Sequence, residues 1–254
     1  MNRKYRFTMI VVAFVLLFST SCITNRQKLY LQASQEEKKA AMPYQPYRLQ
    51  VNDEIIYYLM TINQATQSLY NGTQSGYGGD MQNMLTYRIY EDGTVLLPTI
   101  GKVKILNMTI REAEQTLSRH FKRLVVDAEV KISLANNYFY VEGDGGKGRF
   151  YMYKEELNIF QALAMAGDIS SIGDKQNVKI IRRGPDGLDY VATVDIRQET
   201  IFNSEYYYIR PNDVIYIPTS SRSFFRIESL TDFVAIVTLP IALVLSAMTY
   251  IKLK

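Results

Sequence analysis

The chain has 254 residues, of which 47% are hydrophobic and 21% are charged. This composition is typical of a globular protein and excludes a disordered or collagen-like chain. Its single cysteine, Cys22, excludes an intrachain disulfide and a cysteine cluster for zinc or iron–sulfur. The net charge is +4, but Arg3, Lys4 and Arg6 lie at the very start and the remainder is nearly neutral. Proteins that bind many phosphates keep a large positive excess, so we do not expect nucleic acid as a partner.

The amino-terminal residues 1–21 have the pattern of a signal peptide. Basic residues precede an uninterrupted apolar run at 9–18, which is long enough for a signal-peptide core and too short to span a bilayer. Small residues at 19–21 then lead directly to Cys22. The pattern resembles a bacterial lipoprotein signal, in which Cys22 becomes the acylated first residue and carries palmitate. An ordinary secretory signal with an unrelated cysteine is the alternative. We expect a lipid-anchored protein whose residues 22–46 form a polar tether.

The carboxy-terminal segment predicts a membrane helix. Residues 233–251 carry no charge, and at 1.5 Å per residue they extend about 28 Å, close to the thickness of a bilayer core. We therefore expect a C-terminal transmembrane helix over residues 230–252. A buried helix of a globular domain is the alternative. Small and hydroxylated side chains fall on one side of this helix, where we expect neighbouring helices or a pore lumen. This small-residue stripe consists of Thr231, Ala235, Thr238, Ala242, Ser246 and Thr249.

A first folded unit is expected at residues 47–135. Thr109 and Glu112 form a capping box before apolar residues at helical spacing, which predicts a helix. Residues 61–86 are rich in Asn, Gln, Gly and Thr, and predict a loop or insertion. Strands are predicted at 47–51, 55–59, 87–90, 94–97 and 129–134.

A second folded unit is expected at residues 136–220. Asn158 is the predicted N-cap of its helix and Gly167 the predicted end. Strands are predicted at 138–141, 149–152, 177–183, 189–194, 206–209 and 213–217. The predicted fold class is therefore α+β, with two small strand-rich units that each surround one helix. Asn52-Asp53 and Asn212-Asp213 stand in similar sequences, which predicts the same turn twice.

The sequence contains no motif that supports an enzyme. His120 lies beside the apolar face of the first helix, and no nucleophile motif accompanies it, so we expect a structural role. The glycine-rich run at 143–148 is followed by Arg149 where a phosphate-binding loop needs lysine, and it predicts a hairpin turn. Adjacent Glu155 and Glu156 favour the start of the following helix. We expect neither a catalytic site nor a cofactor or metal.

Two sets of motifs resemble a known family over residues 47–218. The first set resembles the polysaccharide export domain of Wza-type outer-membrane lipoproteins: Tyr47-x-Leu-x-x-x-Asp53-x-Ile55, Tyr87-Arg-Ile-x-x-Asp92-Gly93-Thr94-Val-x-Leu97-Pro98-x-Ile100-Gly101-x-Val103 and Glu112-Ala113. The second set resembles the β-grasp ligand-binding (SLBB) domain that follows it: Tyr140-Val141-x-Gly143, Leu157-x-x-x-x-Ala162-x-x-x-Ala166-Gly167, Val178-x-Ile180-x-Arg182 and Asn212-Asp213-Val214-Ile215. Asn52 and Asn212 replace the family's usual glycine before each turn aspartate, a substitution that asparagine tolerates sterically.

The resemblance implies a polysaccharide translocon component. Such proteins form homo-oligomeric rings, commonly octameric, in the outer membrane, with folded domains in the periplasm and C-terminal helices that form the pore. The implied partners are an inner-membrane polysaccharide co-polymerase, often a tyrosine kinase, and capsular or extracellular polysaccharide as the transported substrate. The implied mechanism is a passive, water-filled channel without covalent chemistry. The alternative is a monomeric periplasmic carbohydrate- or ligand-binding lipoprotein.

Overall fold

The computed structural model describes residues 29–32, 41–71 and 85–221, and six separate positions near the carboxy terminus. The signal peptide and Cys22 lie outside the described residues. The described chain forms two strand-rich α+β units, which confirms the α+β part of the predicted fold class, although the first unit contains two helices where one was predicted.

The first unit packs one long helix against an antiparallel sheet. Its sheet has the strand order β2-β1-β5, and β3 and β4 form a separate hairpin. The core lies where Leu117 and Phe121 of the helix meet Leu59 of the sheet, all fully buried. The elements are β1 (Glu54–Met60), α1 (Gln64–Asn71), β2 (Tyr87–Arg88), β3 (Thr94–Leu97), β4 (Gly101–Lys104), α2 (Ile110–Phe121) and β5 (Glu129–Leu134).

The second unit is a five-stranded mixed sheet with one helix on its buried face. The strand order is β7-β6-β10-β8-β9, in which β10 runs parallel to β6 and every other pair is antiparallel. Ile159 and Leu163 of the helix are buried against the sheet. The elements are β6 (Tyr138–Gly143), β7 (Gly148–Tyr151), α3 (Ile159–Ala166), β8 (Val178–Arg183), β9 (Asp189–Val194), a 3-10 helix (Glu199–Asn203) and β10 (Val214–Ile217).

Helices α2 and α3 begin as the sequence predicts. The Glu112 amide donates to the Thr109 hydroxyl at 3.2 Å, and the Thr109 amide donates to the Glu112 carboxylate at 2.8 Å. Asn158 and Gln161 form the same reciprocal pair at the start of α3. Gly167 ends α3 with a φ of 96°, a left-handed conformation that glycine adopts without steric cost. The two predicted capping signals are confirmed.

The prediction of an irregular loop at 61–86 is wrong for its first part. Residues Gln64–Asn71 form α1, and residues 72–84 lie outside the described part of the chain. The side-chain amide of Asn71 both donates to the Leu59 carbonyl and accepts from the Leu59 amide, each at 2.8 Å. This hydrogen bonding joins residues 12 positions apart in the chain. Because α1 has no buried residue, no pattern of apolar residues predicted this helix.

Two predicted strands, 47–51 and 206–209, are also wrong. Each contains only one isolated bridge, Arg48 to Thr109 in the first case and Asn158 to Tyr208 in the second. Conversely, β4 and the 3-10 helix were not predicted from the sequence. Residues 206–209 take their hydrogen bonds from the start of α3 instead of from a sheet, since Ile159 donates to Tyr207 and Ile209 donates to Leu157.

Part of the expected tether packs on the second unit. The Tyr30 hydroxyl donates to the Asp168 carboxylate, and the Lys175 ammonium lies 3.7 Å from the centre of the Tyr30 ring. Farther along, the Met42 amide donates to the Phe202 carbonyl at 2.8 Å. The described portion of residues 22–46 is therefore docked rather than free.

The predicted transmembrane helix at 230–252 lies largely outside the described residues. Within the described part of the chain, no helix combines the length and apolar character needed to cross a membrane. The separate positions that are described are all helical and exposed: Val234, Thr238, Leu239, Ala242, Ser246 and Thr249.

Candidate functional site

The two Asn-Asp turns have the same three-dimensional structure. Asn52 and Asn212 have φ angles of 71° and 68°. The carboxylate of Asp53 accepts the amide of the residue three positions earlier, Gln50, at 2.8 Å, and Asp213 accepts that of Arg210 at 2.8 Å. Each aspartate amide in turn donates to the carbonyl of the same earlier residue. The sequence echo is therefore a structural repeat, as predicted.

The two buried carboxylates differ in their partners. Asp213 is 1% exposed and accepts two hydrogen bonds from Arg182, from Nε at 3.0 Å and from Nη2 at 2.7 Å. Asp53 is 3% exposed and accepts from the Tyr47 hydroxyl at 2.8 Å and from the Asn136 amide at 3.2 Å. Neutral side-chain donors therefore hold Asp53 in the first turn, whereas a cation holds Asp213 in the second turn.

Burial has the largest effect on the pKa values of the two turn aspartates. Burial raises the pKa of Asp213, although the hydrogen bonds and charge of Arg182 act in the opposite direction. Burial also raises the pKa of Asp53, against the hydrogen bonds from Gln50, Tyr47 and Asn136. Every oxygen of both carboxylates accepts at least one hydrogen bond. These groups fix the backbone, and the arrangement gives neither of them a free oxygen for acid–base chemistry.

The two turns meet at the junction between the units. A cavity of about 360 Å³ is lined by both turns and by Asn136 and Arg182. Asn136 belongs to the connection between β5 and β6, and its side chain accepts from the Glu54 amide while it donates to Asp53. The connection between the units is therefore held by specific hydrogen bonds to the first turn.

A larger cleft of about 890 Å³ opens between the units. It has the size of a ligand site, and its position between two domains is a common one for such sites. Five tyrosines contribute to its walls, of which Tyr153 is 60% exposed and Tyr44 packs edge-on against Tyr208. The charged groups in the lining are Arg111, Glu114, Lys154, Glu155, Glu156, Glu205 and Arg210.

The cleft offers hydrogen-bond donors and acceptors beside exposed rings. Burial and then the Glu155 carboxylate raise the pKa of the Tyr44 hydroxyl above its ordinary value. The exposed rings of Tyr151 and Tyr153 supply apolar faces next to the carboxylates of Glu155 and Glu156. This combination suits a hydroxylated ligand with apolar ring faces, such as a sugar. Glu155 and Glu156, which we assigned only to the start of α3, also belong to this cleft.

The residues predicted to carry lipid attachment and helix packing are only partly described. Cys22, Thr231 and Ala235 lie outside the described residues. Thr238, Ala242, Ser246 and Thr249 are helical and exposed. The Thr238 hydroxyl donates to the Val234 carbonyl at 2.7 Å, and the Thr249 hydroxyl donates to the Ser246 carbonyl at 2.8 Å. Both hydroxyls thus have a hydrogen-bond partner within their own helix, which lowers the free-energy cost of placing them in an apolar environment.

The other residues that the sequence singled out make contacts within the fold. His120 Nδ1 lies 2.9 Å from the Thr116 carbonyl oxygen one turn earlier in α2. The glycine-rich run 143–148 joins antiparallel β6 and β7, which confirms the predicted hairpin. Among the residues that the structure describes, no group of three or more His, Cys, Asp or Glu side chains could hold a metal ion.

The comparison with protein families identifies the first unit. Residues 41–135 match the family model described as polysaccharide biosynthesis/export protein. The matched segment contains the first Asn-Asp turn, α2 and β5, and ends just before Asn136. The match confirms the first half of the resemblance seen in the sequence and supports a role in polysaccharide export. The SLBB assignment of residues 136–220 stays a prediction.

Proposed function

We propose that this chain, which carries a domain of the polysaccharide biosynthesis/export family at residues 41–135, is an outer-membrane lipoprotein that forms a ring-shaped channel. Capsular or extracellular polysaccharide is its transported substrate, and its action involves no covalent chemistry. The observation that carries this proposal is the family match over the first unit. The order of motifs in the second unit, which resembles an SLBB domain, supports the same assignment.

Acylation at Cys22 anchors the chain to the outer membrane. The basic, apolar and small-residue segments that precede Cys22 support this step. Only six residues separate Cys22 from Leu29, the first described residue of the docked segment. Seven steps of fully extended chain span at most about 25 Å, which is the longest reach of the chain between Cys22 and Leu29.

The carboxy-terminal segment supplies the membrane-spanning part of the ring. Val234 and Leu239 are 53% and 63% exposed on their helical positions. Residues 233–251 carry no charge, and an apolar segment of this length favours insertion into a bilayer. This segment follows directly on the second unit, whose last described residue is Ser221. Both membrane attachments therefore leave from the second unit, and the first unit faces the periplasm and an inner-membrane co-polymerase.

Imaging of the full-length protein tests the channel. Electron microscopy of the detergent-solubilised chain is expected to show rings, and a chain that stops before Leu230 is expected to lose them or hold them weakly. In a strain without the native gene, the full chain should restore polysaccharide to the medium. The Cys22→Ser variant tests the anchor separately and should restore less. A strictly monomeric full-length protein at micromolar concentration would overturn the proposal of a ring-shaped channel.

The cleft between the units favours a second candidate function. A monomeric periplasmic lipoprotein could bind carbohydrate there, since exposed tyrosines and carboxylates line a volume of about 890 Å³. Under this alternative the protein stays monomeric and binds oligosaccharides prepared from the secreted polymer. Tyr153→Ala should then weaken that binding, while Tyr90→Ala, at an exposed tyrosine outside the cleft, should not.

A further inference from the structure

Among the described residues, the five-stranded sheet of the second unit ends in two edges that no further strand covers. Within the described part of the chain, β7 pairs only with β6 and β9 pairs only with β8. Leu188, Tyr190 and Val191 at the β9 edge are 62%, 49% and 62% exposed, so this edge presents apolar side chains on both faces. An open edge of this kind is a template for pairing with another strand.

The two edges carry opposite charges. Lys147 and Arg149 are exposed at the β7 edge, and the Arg149 guanidinium lies 4.4 Å from the centre of the Tyr138 ring on the neighbouring strand. Asp186 and Asp189 are exposed at the β9 edge. Pairing of β7 with β7, or of β9 with β9, would bring like charges together. Antiparallel pairing of β7 with β9 in the register that places Arg149 opposite Asp189 brings opposite charges together, and charge complementarity of this kind selects one partner over others.

The strand directions also suit a pairing between different edges. β7 is antiparallel to β6, β6 is parallel to β10, and two further antiparallel steps lead through β8 to β9. β7 and β9 therefore run in opposite directions within one sheet. When a second copy continues the sheet with the same orientation, its β7 meets β9 as an antiparallel neighbour, the arrangement that proteins use most often.

We propose that β9 of one copy of this chain pairs with β7 of the next copy, so that the sheet continues from subunit to subunit. The contact uses different surfaces on its two sides, and a repeated contact of this type closes into a ring when the rotation allows. This inference rests on the proposed function, because it specifies how the subunits of the ring meet. Because β7 has four residues, one contact is small, and the stability of the assembly depends on closure and on the carboxy-terminal helices.

Charge reversal tests the pairing in the full-length protein. Asp189→Lys and Arg149→Glu, each alone, should raise the concentration at which rings dissociate by about tenfold or more. The double variant should recover most of this loss, because it exchanges the two charges. Glu91→Lys with Lys104→Glu, at exposed positions of the first unit, is the matched control and should leave the rings unchanged. Native mass measurement in detergent gives the oligomeric state.

Cysteine cross-linking distinguishes the possible pairings. Arg149→Cys with Asp189→Cys in one chain, treated with a short bis-maleimide, should give a ladder of covalent oligomers up to the full ring. Either single variant should show no more cross-linking than the wild-type protein, which controls for Cys22. Dimers from a single variant would indicate pairing of like edges and overturn the proposal. Wild-type rings without a ladder would overturn the edge pairing alone, whereas a monomeric wild-type protein would overturn the proposed function.

Discussion

Arg182 holds Asp213 through two nearly parallel hydrogen bonds while both side chains are buried, at 6% and 1% exposure. The same guanidinium donates to the carbonyls of Glu205 and Tyr208, at 3.0 and 2.8 Å, and lies 4.7 Å from the centre of the Tyr206 ring. One arginine on β8 thus fixes both the second Asn-Asp turn and the segment before it. The pair is structural, because its hydrogen bonds are all made within the fold.

Removal of Arg182 should strongly destabilise the second unit. Arg182→Met leaves the Asp213 carboxylate buried without its cation, and loss of one partner of a buried pair costs about 3–5 kcal/mol. Lys102→Met, which breaks the exposed contact of Lys102 with Asp92, is the control and should cost less than about 1 kcal/mol. Urea denaturation followed by circular dichroism measures both. Equal losses would contradict the central role of Arg182.

The two Asn-Asp turns should tolerate glycine better than alanine. Asn52 and Asn212 have positive φ angles, which cost an alanine about 1–2 kcal/mol and a glycine almost nothing. Asn52→Ala and Asn212→Ala should therefore lower the free energy of unfolding by about 1 kcal/mol or more. The corresponding glycine variants should stay within about 0.5 kcal/mol of wild type. A larger loss with glycine would indicate that the asparagine side chain itself supplies the stability.

Gly146 should be intolerant of any side chain for a packing reason. A Cβ at this position would lie 1.3 Å from the Ala166 carbonyl oxygen, so the hairpin lies directly against the end of α3. Gly146→Ala forces the hairpin and α3 apart, and overpacking of this type costs about 1–3 kcal/mol. Gly101→Ala is the comparison, since Gly101 has a φ of 75° and open space around it, and should show only backbone strain. A smaller melting-temperature loss at Gly146 than at Gly101 would refute the close approach.

Tyr57 should make the protein less stable in alkali. Burial raises the pKa of Tyr57 to about 12, above the ordinary value of about 10. Between these two pH values the unfolded chain binds fewer protons than the folded one, so stability falls as pH rises. The contribution is complete below pH about 10 and is lost towards pH about 12. Tyr57→Phe should reduce this slope in urea titrations, and an unchanged slope would contradict the burial of the hydroxyl.

The stripe of small residues should be chemically distinct from the opposite side of its helix. Single cysteines at Thr238, Ala242 and Ser246 should react with a small water-soluble thiol reagent more than cysteines at Val237, Ile241 and Leu245, if the stripe faces the lumen. If the stripe packs against neighbouring helices, the first set should form more disulfides between subunits. Equal labelling and equal cross-linking of both sets would indicate that the segment acts only as a membrane anchor.

Local sequence determined helices α2 and α3 and the hairpin of β6 and β7. The capping pairs Thr109–Glu112 and Asn158–Gln161 each join groups three residues apart, so a short window contains all of the information. The glycine-rich turn after β6 and the repeated Asn-Asp turns are recognisable for the same reason, since the backbone conformation depends on one or two residues. The motifs of the first unit were equally local, and the family match confirms them.

The tertiary structure decided the features that depend on distant partners. Tyrosines at 206–208 favour a strand by their local preference, but Arg182 and the start of α3 take the hydrogen bonds that a sheet would need. Asn71 closes α1 onto β1 through one amide, which no pattern of apolar residues could indicate. The cleft between the units and the open edges of β7 and β9 arise only when the two units and the strand order are in place. The sequence therefore determined which segments fold and what family they resemble, whereas long-range hydrogen bonds and strand order decided which surfaces remain available for a partner.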